Sequence, residues 1–352
     1  MKIVFFIGSM NGGGAERVIS ILANHYSSKG WDVEIALLLK NEVGYKLEDN
    51  IKIVDLTGKH GSYFKNLPAW VRGIRKYLKK SKPDRVVSFI GRINALVLMS
   101  TFGMKVPVIV SERNDPKHDG RGEMMLSLCN RSYGYKRCRA IVHQTKYEES
   151  CFDSSLAKKS HIIPNPVAVH AERTSEEPFR IVTAGRLTAQ KNHAMLIEAV
   201  SMLKDEFPQL SLDIYGDGER KAQLQSLIDE NGMSDRITLR GNVSDLHSRI
   251  ANAGLFVMTS EFEGLSNALL EAMMLGLPCI STDYPGADEL IRHRENGILV
   301  PRGDTERLCE AIRQILTDAD IREKLSKQAR ETSEAYKKEA VLKLWESVIE
   351  LA

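Results

Sequence analysis

Phe179-Arg180-Ile181-Val182-Thr183-Ala184-Gly185-Arg186-Leu187-Thr188-Ala189-Gln190-Lys191-Asn192-His193-Ala194-Met195-Leu196-Ile197-Glu198-Ala199-Val200 reads as strand, turn and helix in succession. Residues 179–184 are rich in β-branched and aromatic types and stop at a glycine, and residues 193–203 follow as a helix. Strands are predicted onward at 210–215, 237–239, 255–258 and 278–281, and residues 305–352 read as mostly helical. The same alternation occupies the earlier half, with strands at 2–7, 31–39, 51–56, 85–90, 106–111 and 139–143. Helices fall there at 15–28, with Val18, Ile19, Leu22 and Tyr26 on one face, and at 69–80. Strands alternating with helices imply parallel βαβ units. Ile162-Ile163-Pro164-Asn165-Pro166 interrupts the pattern with two prolines that favour extended backbone. The expected fold is therefore α/β, as two similar doubly wound halves.

The composition suits this. Of 352 residues, 43% are apolar and 27% charged, which excludes a disordered chain, a collagen-like repeat and a small disulfide scaffold. The uncharged stretch 93–104 is too short for a spanning helix, which needs about 20 apolar residues. The apolar run 3–7 is too short for a secretory signal. Five cysteines, odd in number and without metal-ligand spacing, read as reduced thiols of a cytosolic protein. Residues 1–164 carry a net charge of +12 and the remainder −9, so the first half is suited to something anionic.

In doubly wound sheets ligands gather beyond the carboxyl ends of the strands. After the first strand comes Gly8-Ser9-Met10-Asn11-Gly12-Gly13-Gly14-Ala15. It is either a tight turn or a place where backbone approaches an anion at a helix start. It departs from the G-x-G-x-x-G fingerprint, and the second strand lacks the acidic residue of a dinucleotide site. Arg186 and Lys191, five residues apart at the later turn, can converge on one phosphate, with solvated loop charges as the plainer reading. In Glu263-Gly264-Leu265-Ser266-Asn267-Ala268-Leu269-Leu270-Glu271, Gly264 to Asn267 are expected to open a helix, with Glu271 two turns in. That would put both glutamates on nearly one side, roughly 12 Å apart along the axis. The spacing exceeds the about 5–9.5 Å of a glycosidase pair and suits two contacts to one elongated ligand, one of them a ribose diol.

These motifs together resemble the family 4 glycosyltransferases, and the resemblance spans nearly the whole chain. Glu263 and Glu271 match the family's E-x7-E motif, Arg186 and Lys191 its phosphate-binding pair, Gly12, Gly13 and Gly14 its first glycine-rich loop, and Pro164-Asn165 its hinge. The resemblance implies the GT-B fold, two Rossmann-like doubly wound domains facing across a cleft. It implies an acceptor-binding domain at 1–164 joined by a returning helix at about 335–352, and a nucleotide-sugar-binding domain at 165–334. Arg186, Lys191 and Glu263 would be the catalytic residues. The donor would meet Gly14, Arg186, Lys191, Gly216, Asn242, Val243, Glu263, Gly264, Leu265, Ser266 and Glu271, with Glu271 on the ribose. The acceptor would meet Gly12, Gly13, Arg72, Lys76 and Arg113. No metal or other cofactor is implied, and the co-substrate would be a UDP-sugar.

One departure stands out. Where many relatives carry a histidine after Ser-Glu, this chain has Ser111-Glu112-Arg113, with His118 as an alternative nearby. Arg113 can bind a phosphate but cannot serve as a base, because it stays protonated. The helix at 69–80 carries Arg72, Arg75, Lys76, Lys79 and Lys80 outside an apolar face of Trp70, Ile74, Tyr77 and Leu78. It is either a solvated sheet-covering helix or a contact to anionic lipid or a pyrophosphate acceptor. Met124, Met125, Leu126 and Leu128 form a second apolar cluster, expected in the core. The expected activity is retaining transfer of a hexosyl or N-acetylhexosaminyl unit to a glycan acceptor, lipid-linked, in bacterial surface glycan synthesis. The expected location is the cytoplasm or the inner face of the cell membrane. A sugar-nucleotide epimerase and a catalytically silent nucleotide-sugar-binding partner are the competing readings. No nucleic-acid module is present in the sequence.

Overall fold

The computed structural model describes residues 1–11, 13–57, 63–113 and 130–350. The chain divides into two compact units, Met1–Pro166 with Glu339–Ala352, and Val167–Lys338.

The first unit is built on β1 (Lys2–Ile7), α1 (Gly14–Ser28), β2 (Asp32–Leu37), β3 (Lys52–Asp55), α2 (Tyr63–Ser81), β4 (Arg85–Phe89), α3 (Gly91–Ser100), β5 (Val108–Ser111), β6 (Ala140–His143), α4 (Lys146–Ser150) and β7 (Ser160–Ile162). Its seven strands pair in the order β3-β2-β1-β4-β5-β6-β7, all parallel. Helices cover both faces, so β1 is apolar at nearly every position. Ile3, Phe5 and Ile7 pack on one side with Val18, Leu22 and Tyr26 of α1, and Val4 and Phe6 on the other with Ile74 and Leu78 of α2. Helix α11 (Lys338–Ile349) completes the first core with Val341, Leu342, Trp345, Val348 and Ile349. Trp345 is fully buried and stacks on Phe89 at 5.7 Å, while His25 and Lys29 each reach Glu346 at 2.8 Å.

The second unit runs β8 (Glu177–Ala184), α5 (His193–Met202), β9 (Ser211–Tyr215), α6 (Lys221–Glu230), β10 (Ile237–Gly241), α7 (Leu246–Ile250), β11 (Ala253–Met258), α8 (Asn267–Met274), β12 (Cys279–Thr282), β13 (Ile298–Val300), α9 (Thr305–Thr317) and α10 (Ala319–Ser333). Its six parallel strands lie in the order β10-β9-β8-β11-β12-β13. Leu255 and Val257 of β11 face one core, Phe256 and Met258 the other. In both sheets the strand order reverses direction once, between β1 and β4 and between β8 and β11. Those are the points where ligands bind in this kind of sheet.

Two strands are absent from the sequence reading, β7 and β13. Each is a three-residue edge strand, too short to show a pattern. Among the described residues no helix is long and apolar enough to cross a membrane. The cluster 124–128 lies outside the described residues.

Candidate functional site

The loops leaving β8 and β11 flank the reversal point of the second sheet, and side chains stitch them together. The backbone N–H of Glu261 donates to Gln190 O at 2.8 Å, and Gln190 Nε2 donates to Phe262 O at 2.8 Å. Thr259 Oγ1 donates to the carbonyls of Lys191 at 3.1 Å and Asn192 at 2.9 Å, and Asn192 Nδ2 donates to Glu261 Oε1 at 2.7 Å. Asn192 sits at φ 45, a left-handed conformation that asparagine tolerates better than most residues, and this lets α5 start at once after Lys191. The loop after β9 closes the same rim. Gly216, at φ 133, lies so near the β8 loop that a Cβ there would stand 2.0 Å from Gly185 O. Its N–H donates to Gly241 O at the end of β10, at 2.9 Å. Gly216 is therefore needed for close backbone approach.

Lys191 and Glu263 meet on this rim. Lys191 Nζ contacts Glu263 Oε1, and Ser260 Oγ donates to that same oxygen at 2.6 Å. Their side chains are 14% and 10% exposed, so a cation and a carboxylate are held together largely away from water. A buried pair of this kind stabilises through geometry and partners rather than through charge alone. Arg186 stands on the same loop and is exposed, its Nη2 donating to Gln190 Oε1 at 3.4 Å. Behind them His193 is buried, and burial with Lys191 nearby lowers its imidazole to about 4, so it is neutral. Burial, with Glu263 nearby, likewise keeps the Tyr284 hydroxyl protonated, well above the usual phenol range.

The helix opens within 264–267 as expected, but the helical spacing carried back to Glu263 is corrected. Helix α8 begins at Asn267, capped by Ser266, whose Oγ accepts from Leu269 N–H at 3.4 Å. Serine at this position satisfies a free N–H and ends the preceding loop. Glu263 thus lies in the loop, turned toward Lys191, and only Glu271 is helical. Glu271 is buried, and its Oε2 lies 3.3 Å from His247 Nε2 on α7. Leu265 and Ser266 are buried and Gly264 partly so, at the start of α8. Asn242 is exposed after β10, and Val243 packs against the core that holds Leu265 and Leu269.

In the first unit Gly13 and Gly14 form the N-terminus of α1, with the Glu16 side chain against Gly13 and Tyr45 Oη donating to Gly13 O at 2.9 Å. Gly12 and His118 lie outside the described residues. Arg72 and Lys76 are exposed on α2. Arg113 is buried: its Nε donates to Ser111 Oγ at 2.8 Å and its Nη1 to Asn165 Oδ1 at 2.7 Å. Its guanidinium covers the rings of Phe89 at 5.3 Å and Trp345 at 5.4 Å. Burial lowers its pKa, opposed by Glu148 and Glu112. Arg113 thus ties the end of β5, Asn165 and the closing helix together within this unit. Beside the reversal point of the first sheet, Ile90 sits at φ 73, which a β-branched residue rarely adopts; such strain is concentrated at functional sites. Among the described residues no group of three or more His, Cys, Asp or Glu side chains is placed to hold a metal ion.

Sequence reasoning missed His247, Ser260 and the Gln190 and Asn192 stitches. The contacts of His247, Gln190 and Asn192 join residues distant along the chain and leave no local spacing to read, whereas Ser260 stands only three residues before Glu263.

Known proteins share this fold. A model of glycosyl transferases group 1 matches residues 168–332, and one of glycosyltransferase family 4 matches residues 12–170. The lipopolysaccharide core biosynthesis glycosyltransferase LpsE of Rhizobium meliloti is 35% identical over 347 residues, covering 94% of each chain. A Campylobacter jejuni α-1,4-N-acetyl-D-galactosaminyltransferase, whose named acceptor is a diphospho-undecaprenol-linked glycan, is 26% identical over 363 residues, 99% of this chain and 98% of its own. The crystal structure of Anabaena HepE in complex with UDP superposes with a TM-score of 0.85 at 19% identity, covering 99% of each chain. The lipopolysaccharide outer core galactosyltransferase WaaB, in its apo form, superposes at 0.78 and 20%, again over 99% of each chain. With two parallel Rossmann-like sheets and both family signatures end to end, the chain belongs to the group 1, family 4 glycosyltransferases of the GT-B fold.

Proposed function

We propose that the protein moves a hexosyl or N-acetylhexosaminyl unit, with retention, from a UDP-sugar to a lipid-linked glycan in bacterial surface glycan synthesis. The observation that carries this reading is the meeting of Lys191 and Glu263 at the reversal point of the second sheet, with Arg186 on the same loop. Arg186 and Lys191 neutralise the pyrophosphate as it leaves, a role for preorganised cations. Lys191 exchanges its Glu263 partner for a phosphate oxygen, which turns Glu263 toward the transferred sugar. Glu271 accepts from the ribose hydroxyls. Backbone N–H groups of Gly264, Leu265 and Ser266 meet sugar and phosphate, and Gly216, Asn242 and Val243 line the rest of the donor. The bond from the anomeric carbon to phosphate breaks and the bond to the acceptor oxygen forms on the same face. The acceptor proton passes to the departing phosphate, so no protein nucleophile and no metal ion is required.

The lipid-linked acceptor rests on the names of the relatives, among them a second Campylobacter jejuni enzyme, 28% identical, named for a diphospho-undecaprenol substrate. Charge supports it: residues 56–111 hold eleven Lys and Arg against a single acid, Asp84. The acceptor meets the first unit at Gly12, Gly13, Arg72 and Lys76, with the protein peripheral on the inner face of the membrane.

A thermal-shift panel with UDP, GDP, ADP and NAD, each with and without EDTA, tests the donor side. A ligand at 100 times its dissociation constant stabilises by about 2.7 kcal/mol, a shift of several degrees. A selective, EDTA-insensitive UDP shift is expected. A GDP or ADP shift replaces the donor, and a shift with NAD alone overturns the reading.

A further inference from the structure

His247 lies on α7, just beyond the loop that follows β10, and no motif marks it. Its ring is held from both ends. The backbone N–H of His170 donates to Nδ1 at 3.3 Å, and Nε2 lies 3.3 Å from Glu271 Oε2. The His247 and Glu271 side chains are 16% and 8% exposed. A neutral imidazole carries one proton, and an N–H aimed at Nδ1 leaves that nitrogen as the acceptor. In the neutral ring the proton then stands on Nε2, the nitrogen 3.3 Å from Glu271 Oε2. We propose that His247 is a positioning residue: it holds Oε2 of Glu271, sets the plane of the carboxylate, and thereby fixes how Glu271 presents itself to the ribose hydroxyls of the donor.

The inference rests on Glu271 as the ribose-binding carboxylate. A side chain that helps orient a ligand group acts on binding through that group, as metal-site outer partners do. Loss of His247 should therefore weaken a nucleotide only when the nucleotide has ribose hydroxyls to bind. A residue that merely fills space beside α8 would weaken all nucleotides alike.

The test compares His247→Met and His247→Ala, which remove the donor, with His247→Gln, which keeps an N–H at similar reach. Calorimetry measures binding of the one diphosphate among UDP, GDP and ADP that the wild type takes up, and of its 2′,3′-dideoxy form. Thermal melting confirms that each variant is folded. The expected result is about tenfold weaker binding of the ribonucleotide by the Met and Ala variants, the scale of a lost polar contact to a charged group. The dideoxy form should change less than twofold, and His247→Gln should recover most of the loss. Equal losses on both nucleotides, or no loss, overturn the role of His247. A wild type that binds ribo and dideoxy forms equally overturns Glu271 as the ribose contact, and His247 with it. Binding of none of the three overturns the nucleotide site itself.

Discussion

Replacing Lys191 by alanine should damage the protein twice, and the two effects can be separated. In the free protein the Glu263 carboxylate has Lys191 and Ser260 on one oxygen, at a side-chain exposure of 10%. Removing one partner of a buried pair costs about 3–5 kcal/mol, because a charge is left without compensation. The Ser260 hydroxyl remains at 2.6 Å, which argues for the lower end, about 3 kcal/mol. For a unit of this size that corresponds to about 6–12 °C in the melting midpoint. The double variant Lys191→Ala with Glu263→Gln removes the orphaned charge and should return to within about 1 kcal/mol of wild type. Transfer should behave otherwise. Losing a cation aimed at the leaving phosphate costs about 10²–10³ in rate, and the glutamine cannot restore it. Calorimetric melting beside a donor-hydrolysis and transfer assay reads both. If Lys191→Ala melts like wild type, the pair is not holding the loops as described. If the double variant regains transfer, Lys191 serves only to hold Glu263, and its place on the phosphate is wrong.

Gly216→Ala should cost about 3 kcal/mol, since its Cβ would stand 2.0 Å from Gly185 O at φ 133, and nucleotide shifts should vanish with it. Gly232→Ala, at φ 65 with nothing within 4 Å, is the control and should cost only about 1 kcal/mol in urea unfolding. His143 and His193 are both held near about 4 against 6.5 unfolded, by burial first and then by Arg113 and Lys191 respectively. Between those values the unfolded chain takes protons that the folded chain refuses. Stability present above pH 6.5 is therefore lost as pH falls toward 4, by up to about 3 kcal/mol for each histidine. Urea midpoints at pH 7.5 and 4.5 should show the fall, and His143→Gln should flatten it; a flat wild-type profile contradicts the burial of both rings. Trp345→Ala, which empties a fully buried site beneath Phe89 and Arg113, should cost the first unit about 3–5 kcal/mol, and an unchanged melting transition would mean that the closing helix adds nothing to that core.

Much of the fold is legible in order along the chain. The apolar run of β1 between charged Lys2 and Gly8, and the restart at Phe179 after Pro166, reveal parallel strands because both sheet faces are buried by helices. Arg186 and Lys191 are legible because a strand-to-helix turn places five residues in one loop. Glu263 and Glu271 are legible as a motif, but their spacing alone misleads: a helix laid through both puts them on one side. Ser266 decides otherwise, by capping α8 after Glu263 has already turned toward Lys191. Arg113 shows the same limit. Its place after Ser-Glu suggests a ligand contact, yet Trp345 and Phe89 close over it, and Asn165 takes one arm. Periodicity, turn residues and glycines are local, and by themselves they determined the two α/β halves and the loops that bear chemistry, while the family rested on the resemblance of Arg186, Lys191, Glu263 and Glu271 to its motifs. Which atoms meet was decided only by tertiary structure. The Lys191–Glu263 pair, the His170–His247–Glu271 chain and the burial of Arg113 each join segments separated along the sequence, and a contact across such distance depends on sheet order and packing, which no short window contains.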